Sequence, residues 1–170
     1  CHDEEDWLHF VEYLAAPYDP QTDTPASKPY AWLRFQQRGH GTPWTDEFAE
    51  ILLEFGNETW HNGVFDDWLG FNTHHAVHQG GPEYGFFAQY LIDVIKSSPY
   101  WTSENLEGKL RFVLGGNYDG DVVQGGVRGY VEEAMTNAPG AHYAGHANYV
   151  GPKWETGDAS QSVFDDHGVQ

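Results

Sequence analysis

Residues 50–60 read Glu50-Ile51-Leu52-Leu53-Glu54-Phe55-Gly56-Asn57-Glu58-Thr59-Trp60. The apolar run from Ile51 to Phe55 is too short for a helix and is closed by Gly56, so it is expected to form a buried strand. Residues 57–81 then carry Trp, His, Asn and Gly without any period. A loop of that length in a compact domain is usually functional or else disordered, so function is expected directly after the strand. Moving outward, Pro82 suits the first turn of a helix in which Tyr84, Phe87, Leu91, Ile92 and Ile95 share one face, until Ser97-Ser98-Pro99 stops it. Leu110 to Leu114, ended by Gly115-Gly116, reads as a second strand. A helix at about 122–138 follows, with Val123, Val127, Tyr130, Val131 and Ala134 inward. A third strand is expected over Tyr143 to Tyr149. On the other side, Trp7, Phe10, Val11 and Leu14 give Asp3 to Ala15 the stripe of an amphipathic helix, with acids in its first turn where the helix dipole favours them. Pro17, Pro20, Pro25 and Pro29 predict an extended surface loop, and a short helix is expected over Tyr30 to Arg38, closed by Gly39.

Strands alternating with helices imply parallel βαβ units with right-handed crossovers, an α/β fold. The chain has 170 residues, room for one domain spanning 1–170. Eight Lys+Arg against 26 Asp+Glu give a net charge of −18. Such a charge repels phosphate backbones and anionic headgroups, so neither nucleic acid nor a membrane surface is an expected partner. No stretch approaches a membrane span of roughly 18 apolar residues. Hydrophobic residues at 39% and aromatics at 16% provide enough apolar area for the chain to fold. One Cys permits no internal disulfide and, with one Met, little soft-ligand chemistry for copper or iron-sulfur centres, so neither is expected and no cofactor is assigned. The acidic excess suits a chain kept soluble in high salt or outside the cell, and a start at Cys1 rather than Met suggests a processed or partial product.

In parallel α/β architectures sites collect at the carboxyl ends of strands. The first strand leads into Asn57, Glu58, Trp60 and His61, and the second into Asn117 and Asp119. The third supplies His146, Asn148 and Tyr149, with Trp154 and Glu155 beyond. Aromatic faces stack on the C–H face of a pyranose while amides, His and carboxyls hydrogen-bond its hydroxyls, so this mixture suits a sugar.

Leu53-Glu54-Phe55-Gly56-Asn57-Glu58-Thr59-Trp60 resembles the end of the fourth strand in the large clan of retaining glycoside hydrolases built on (β/α)8 barrels, where an Asn-Glu pair closes that strand. The resemblance implies that Glu58 is the general acid/base and that Asn57 hydrogen-bonds the sugar 2-hydroxyl. It also makes Asp3 to Ala15 the third helix, Ile51 to Phe55 the fourth strand, Leu110 to Leu114 the fifth and Tyr143 to Tyr149 the sixth. A complete (β/α)8 TIM barrel needs about 250 residues and at least about 200, so the expectation is parallel βα units forming part of a barrel. The clan's nucleophile, a Glu ending the seventh strand, has no counterpart among the three strands. By elimination Glu155, ahead of Asp119, is the second catalytic carboxyl.

The expected function is acid/base hydrolysis of glycosidic bonds in a poly- or oligosaccharide, and the open edges of so short a parallel sheet predict a homo-oligomer. The alternative is a non-catalytic carbohydrate-binding module or degenerate barrel fragment. Asn57-Glu58-Thr59 is also a glycosylation sequon, a reading that requires a surface loop. Trp60, Trp68 and Trp154 serve equally well as core or as sugar platforms. His61, His74, His75 and His78 raise a metal-hydrolase reading, but no Cys lies near and Gly80-Gly81 weakens any helix there, so no metal is assigned. Residues 115–121 lack the final Glu of a calcium loop.

Overall fold

The structure is a computed structural model that describes residues 3–56, 59, 80–117 and 130–147. It is a mixed α/β fold around a three-stranded sheet, strands β1 (Ile51–Glu54), β2 (Leu110–Asn117) and β3 (Tyr143–Ala147), all parallel and ordered β1-β2-β3. The helices are α1 (Glu4–Ala15), α2 (Pro29–Arg38), α3 (Trp44–Glu47), α4 (Gly80–Lys96), α5 (Pro99–Ser103) and α6 (Tyr130–Asn137). Among the described residues the sheet is open and gives no sign of barrel closure.

Pleating separates the two faces of the sheet. Leu53, Phe55, Leu110, Phe112 and Leu114 are buried in one core with Val11 and Leu14 of α1, Tyr84, Leu91, Ile92 and Ile95 of α4, and Val131 and Ala134 of α6. The face expected for α4 is thus buried, apart from Phe87, which is half-buried. The opposite face of the sheet carries Leu52 and Tyr143, exposed by 58% and 45%, and the half-buried Arg111 and Val113. β1 pairs with residues 110–113 of β2 whereas β3 pairs with residues 113–117, so the strands are staggered along β2.

α1 starts where the acid-rich first turn predicts: Asp3 caps it, its carboxylate accepting the Asp6 N–H at 2.8 Å. α2 runs one residue further forward than expected, with Pro29 in its first turn, and ends at Gly39 in the left-handed region. Arg34 of α2 is fully buried, and among the described residues the Glu12 and Glu47 carboxylates act on it without forming a direct ion pair. Instead it donates to three carbonyls, those of Tyr13 and Ala16 at 2.5 Å and of Gly41 at 3.1 Å. Tyr13 and Ala16 lie at the carboxyl end of α1, where unpaired carbonyls concentrate negative potential, and the guanidinium satisfies them.

Three expectations need correcting. Pro17 to Pro29 is not extended: Thr22 and Asp23 N–H donate to the Asp19 carbonyl, and Ser27 and Lys28 N–H to that of Thr24, giving two compact turns beside the buried Tyr18. The prolines excluded periodic structure, and short Asp, Thr and Ser side chains closed the turns. β2 does not stop at Gly115 but continues to Asn117, because β3 supplies pairing partners for Gly115 and Gly116. α4 begins at Gly80, two residues before Pro82. The expected third strand is present over Tyr143–Ala147, and of the helix expected at 122–138 the described part is Tyr130–Asn137. No helix among the described residues is long and apolar enough to cross a membrane.

Candidate functional site at the strand carboxyl ends

Parallel pairing brings the carboxyl ends of all three strands to one edge of the fold, so the segments that follow them start from neighbouring points. The rim is built from Glu54-Phe55-Gly56 of β1, Gly115-Gly116-Asn117 of β2 and Gly145-His146-Ala147 of β3. Register sets Gly116 beside His146 and Asn117 beside Ala147. Two of the expected sugar-binding residues, Asn117 and His146, are therefore placed on adjacent strand ends by the backbone. Glu58, Glu155, Asn57, Trp60, His61, Asn148, Tyr149 and Trp154 lie outside the described residues, as do Trp68 and the histidines 74, 75 and 78.

Tyr84 fastens the rim from below. Its hydroxyl donates to the Phe55 carbonyl at 2.7 Å and accepts from the Gly115 N–H at 3.2 Å, joining the ends of β1 and β2 through one buried side chain. Burial pushes the Tyr84 phenol up to about 12, with the charge of Glu54 adding to that effect and the Gly115 N–H and Thr59 opposing it. Tyr84 is thus a neutral phenol at physiological pH. Phe55 stacks on Phe112 with ring centroids 5.7 Å apart and meets Trp7 edge-on at 5.5 Å, which fixes the last apolar residue before the turn.

Gly56 makes that turn with φ +83°, a conformation that other residues adopt only under strain, and a Cβ there would meet Thr59 Cγ2 at 2.6 Å. Thr59 is buried, 6% exposed, with its Cγ2 close to this turn. The third residue of the Asn57-Glu58-Thr59 sequon is therefore buried. Glu54 is a carboxylate at this rim, exposed on the face that carries Leu52. Sequence reasoning gave it no role, although the period of two already sets it opposite Leu53 and Phe55.

A surface depression of about 620 Å³ lies elsewhere, lined by Pro17, Tyr18, Asp23, Lys28, Gly41 and Asp46 among others. It contains no strand-end residue. Its Lys28 ammonium is already bonded to the Asp23 carboxylate at 3.0 Å and the Pro17 carbonyl at 2.9 Å.

Comparison with known protein families, with curated proteins and with solved structures finds no match to this chain.

Proposed function

We propose that the chain is a glycoside hydrolase that cleaves a poly- or oligosaccharide at the carboxyl ends of its strands, with Glu58 as general acid/base and Asn57 binding the sugar. The observation that carries this reading is the position of Gly56: the left-handed turn closing a buried parallel strand leads, in sequence, straight into Asn57-Glu58. Strand order adds support. β1-β2-β3 runs without reversal and the helices between the strands share one core face, which is how a (β/α)8 barrel is wound, and such barrels also require staggered strands. We take the three described strands as part of such an arrangement.

On this reading a protonated Glu58 donates its proton to the glycosidic oxygen as the bond to the anomeric carbon breaks. A second carboxylate, which we assign to Glu155, attacks that carbon, and water then releases the sugar as Glu58 takes a proton back. Such retaining chemistry needs carboxyls about 5–5.5 Å apart. The substrate is a neutral or cationic saccharide, since −18 on the protein repels anions. The charge also suits an enzyme working outside the cell.

Reducing-end release from a panel of polysaccharides, measured in EDTA, tests the reading. Glu58→Gln is expected to keep the fold and lower turnover on unactivated substrates by at least about a hundredfold, the contribution of a positioned acid/base. Activity within a few-fold of the parent chain overturns it. Binding of the sugar without hydrolysis by the parent chain favours a carbohydrate-binding module, and hydrolysis abolished by EDTA favours a histidine-metal site.

A further inference from the structure

β3 begins beside a histidine that does the work of a strand residue. Phe112, fully buried in the middle of β2, turns both its N–H and its carbonyl toward residue 142. The His142 N–H donates to the Phe112 carbonyl at 2.9 Å, and the Phe112 N–H donates to His142 Nδ1 at 3.1 Å. An imidazole nitrogen thus replaces the backbone carbonyl that would ordinarily continue the β2–β3 ladder. The ring is held in place by Phe112, 5.6 Å away between centroids, and by Tyr143 at 6.3 Å. The Phe112 ring in turn stacks on Trp101 and Phe55.

Only the neutral imidazole with its proton on Nε2 can make this contact, because Nδ1 must present a lone pair. A proton on Nδ1 would set two donors face to face and leave the buried Phe112 N–H without an acceptor. We propose that His142 is an acid-sensitive latch: protonation releases the amino-terminal end of β3 from β2 and loosens the strand that carries His146 to the rim. The latch stands on its own geometry, independent of any sugar chemistry.

The surroundings keep the latch closed near neutral pH. Burial is the largest influence holding His142 below the ordinary value of 6.5, and Arg111 of β2 and Lys96 of α4 act in the same direction. Glu107, in the turn before β2, and Glu50, before β1, oppose them. A histidine that resists protonation when folded stabilises the fold fully above about pH 6.5 and progressively less as pH falls below it.

Amide hydrogen exchange of Phe112, corrected for the intrinsic rate, and the NMR titration of His142 together test the latch on the whole chain. His142 is expected to titrate below 6.5, and Phe112 protection to fall about tenfold or more between pH about 7.5 and 5, the size expected when one buried donor loses its acceptor. His142→Asn, whose Oδ1 accepts from the Phe112 N–H without titrating, is expected to keep protection at both pH values. Wild-type protection that does not change with pH overturns the proposal. So does a His142 that titrates above 6.5, or an Asn variant that loses protection in acid as steeply as the parent.

Discussion

Tyr84 shows how one hydroxyl can settle the position of two strand ends. Replacing it with Phe keeps the ring in the core and strands the Phe55 carbonyl and the Gly115 N–H in a dry site. We expect a loss of about 1–3 kcal/mol in urea unfolding, the usual cost of orphaned buried groups. Its pKa, raised from 10 to about 12, adds a signature in base. The unfolded chain ionises this phenol near 10 and the folded one resists, so the contribution is whole below pH 10 and falls away up to about 12. Two units correspond to at most about 2.7 kcal/mol. Unfolding free energies measured from pH 9 to 12 should therefore fall more steeply for the parent chain than for Tyr84→Phe, and equal slopes would count against the assignment. The helical period already set Tyr84 inward. What periodicity could not supply was the hydroxyl's destination, since its partners lie 29 and 31 residues away and are brought near by topology alone. Arg34 was equally opaque: arginine is rarely buried without a directly paired acid, and the convergence of three carbonyls that accommodates it exists only after α1 and α2 have packed.

Among the elements, legibility followed the length of the apolar pattern. α1 was readable from its apolar stripe and acidic first turn, α2 from its closing glycine and α4 from its stripe and the Ser-Ser-Pro that stops it, whereas β2 was read short because a Gly-Gly pair is locally a strand ender and only pairing with β3 overrides it. The candidate site was legible only as a place, the strand carboxyl ends, because no local signal says which residues of a long aperiodic loop face one another. The α4–α6 contact had no local signal either. It depends on Gly85, where a Cβ would come within 2.3 Å of the Ala134 carbonyl oxygen and 2.8 Å of Asn137 Cβ. Gly85→Ala should gain up to about 1 kcal/mol of helix propensity and lose about 1–3 kcal/mol by driving α4 from α6. The net expectation is destabilisation with Val131 shifted over β2. Gly108→Ala, with nothing within 4 Å of the new methyl, is the matched control and should change the midpoint of thermal unfolding little. A stabilised Gly85→Ala would mean that the two helices are not in close contact.

At the scale of the molecule two features pull against each other. Parallel sheets normally have both faces covered, yet Leu52 and Tyr143 are exposed on the face away from the helices, and among the described strands β1 and β3 each pair on one side only. We expect a second copy of the chain to pack on this face, where a self-complementary patch would serve both partners in a symmetric dimer. A charge of −18 on each chain opposes it. The repulsion is long-ranged and screened, since the Debye length falls from about 8 Å at 0.15 M salt to about 3 Å at 1 M, whereas apolar contact is short-ranged and unaffected. Association should therefore strengthen with salt, the reverse of a complex held by opposite charges. Light scattering in line with size exclusion, at micromolar concentration, is expected to give twice the chain mass, with the dimer fraction rising between 0.05 and about 0.5 M sodium chloride. Leu52→Glu adds a charge to the exposed patch without touching the helix-covered core, and should shift the population toward monomer while leaving the unfolding midpoint nearly unchanged. An active chain that stays monomeric throughout that salt range would mean that the open face needs no partner.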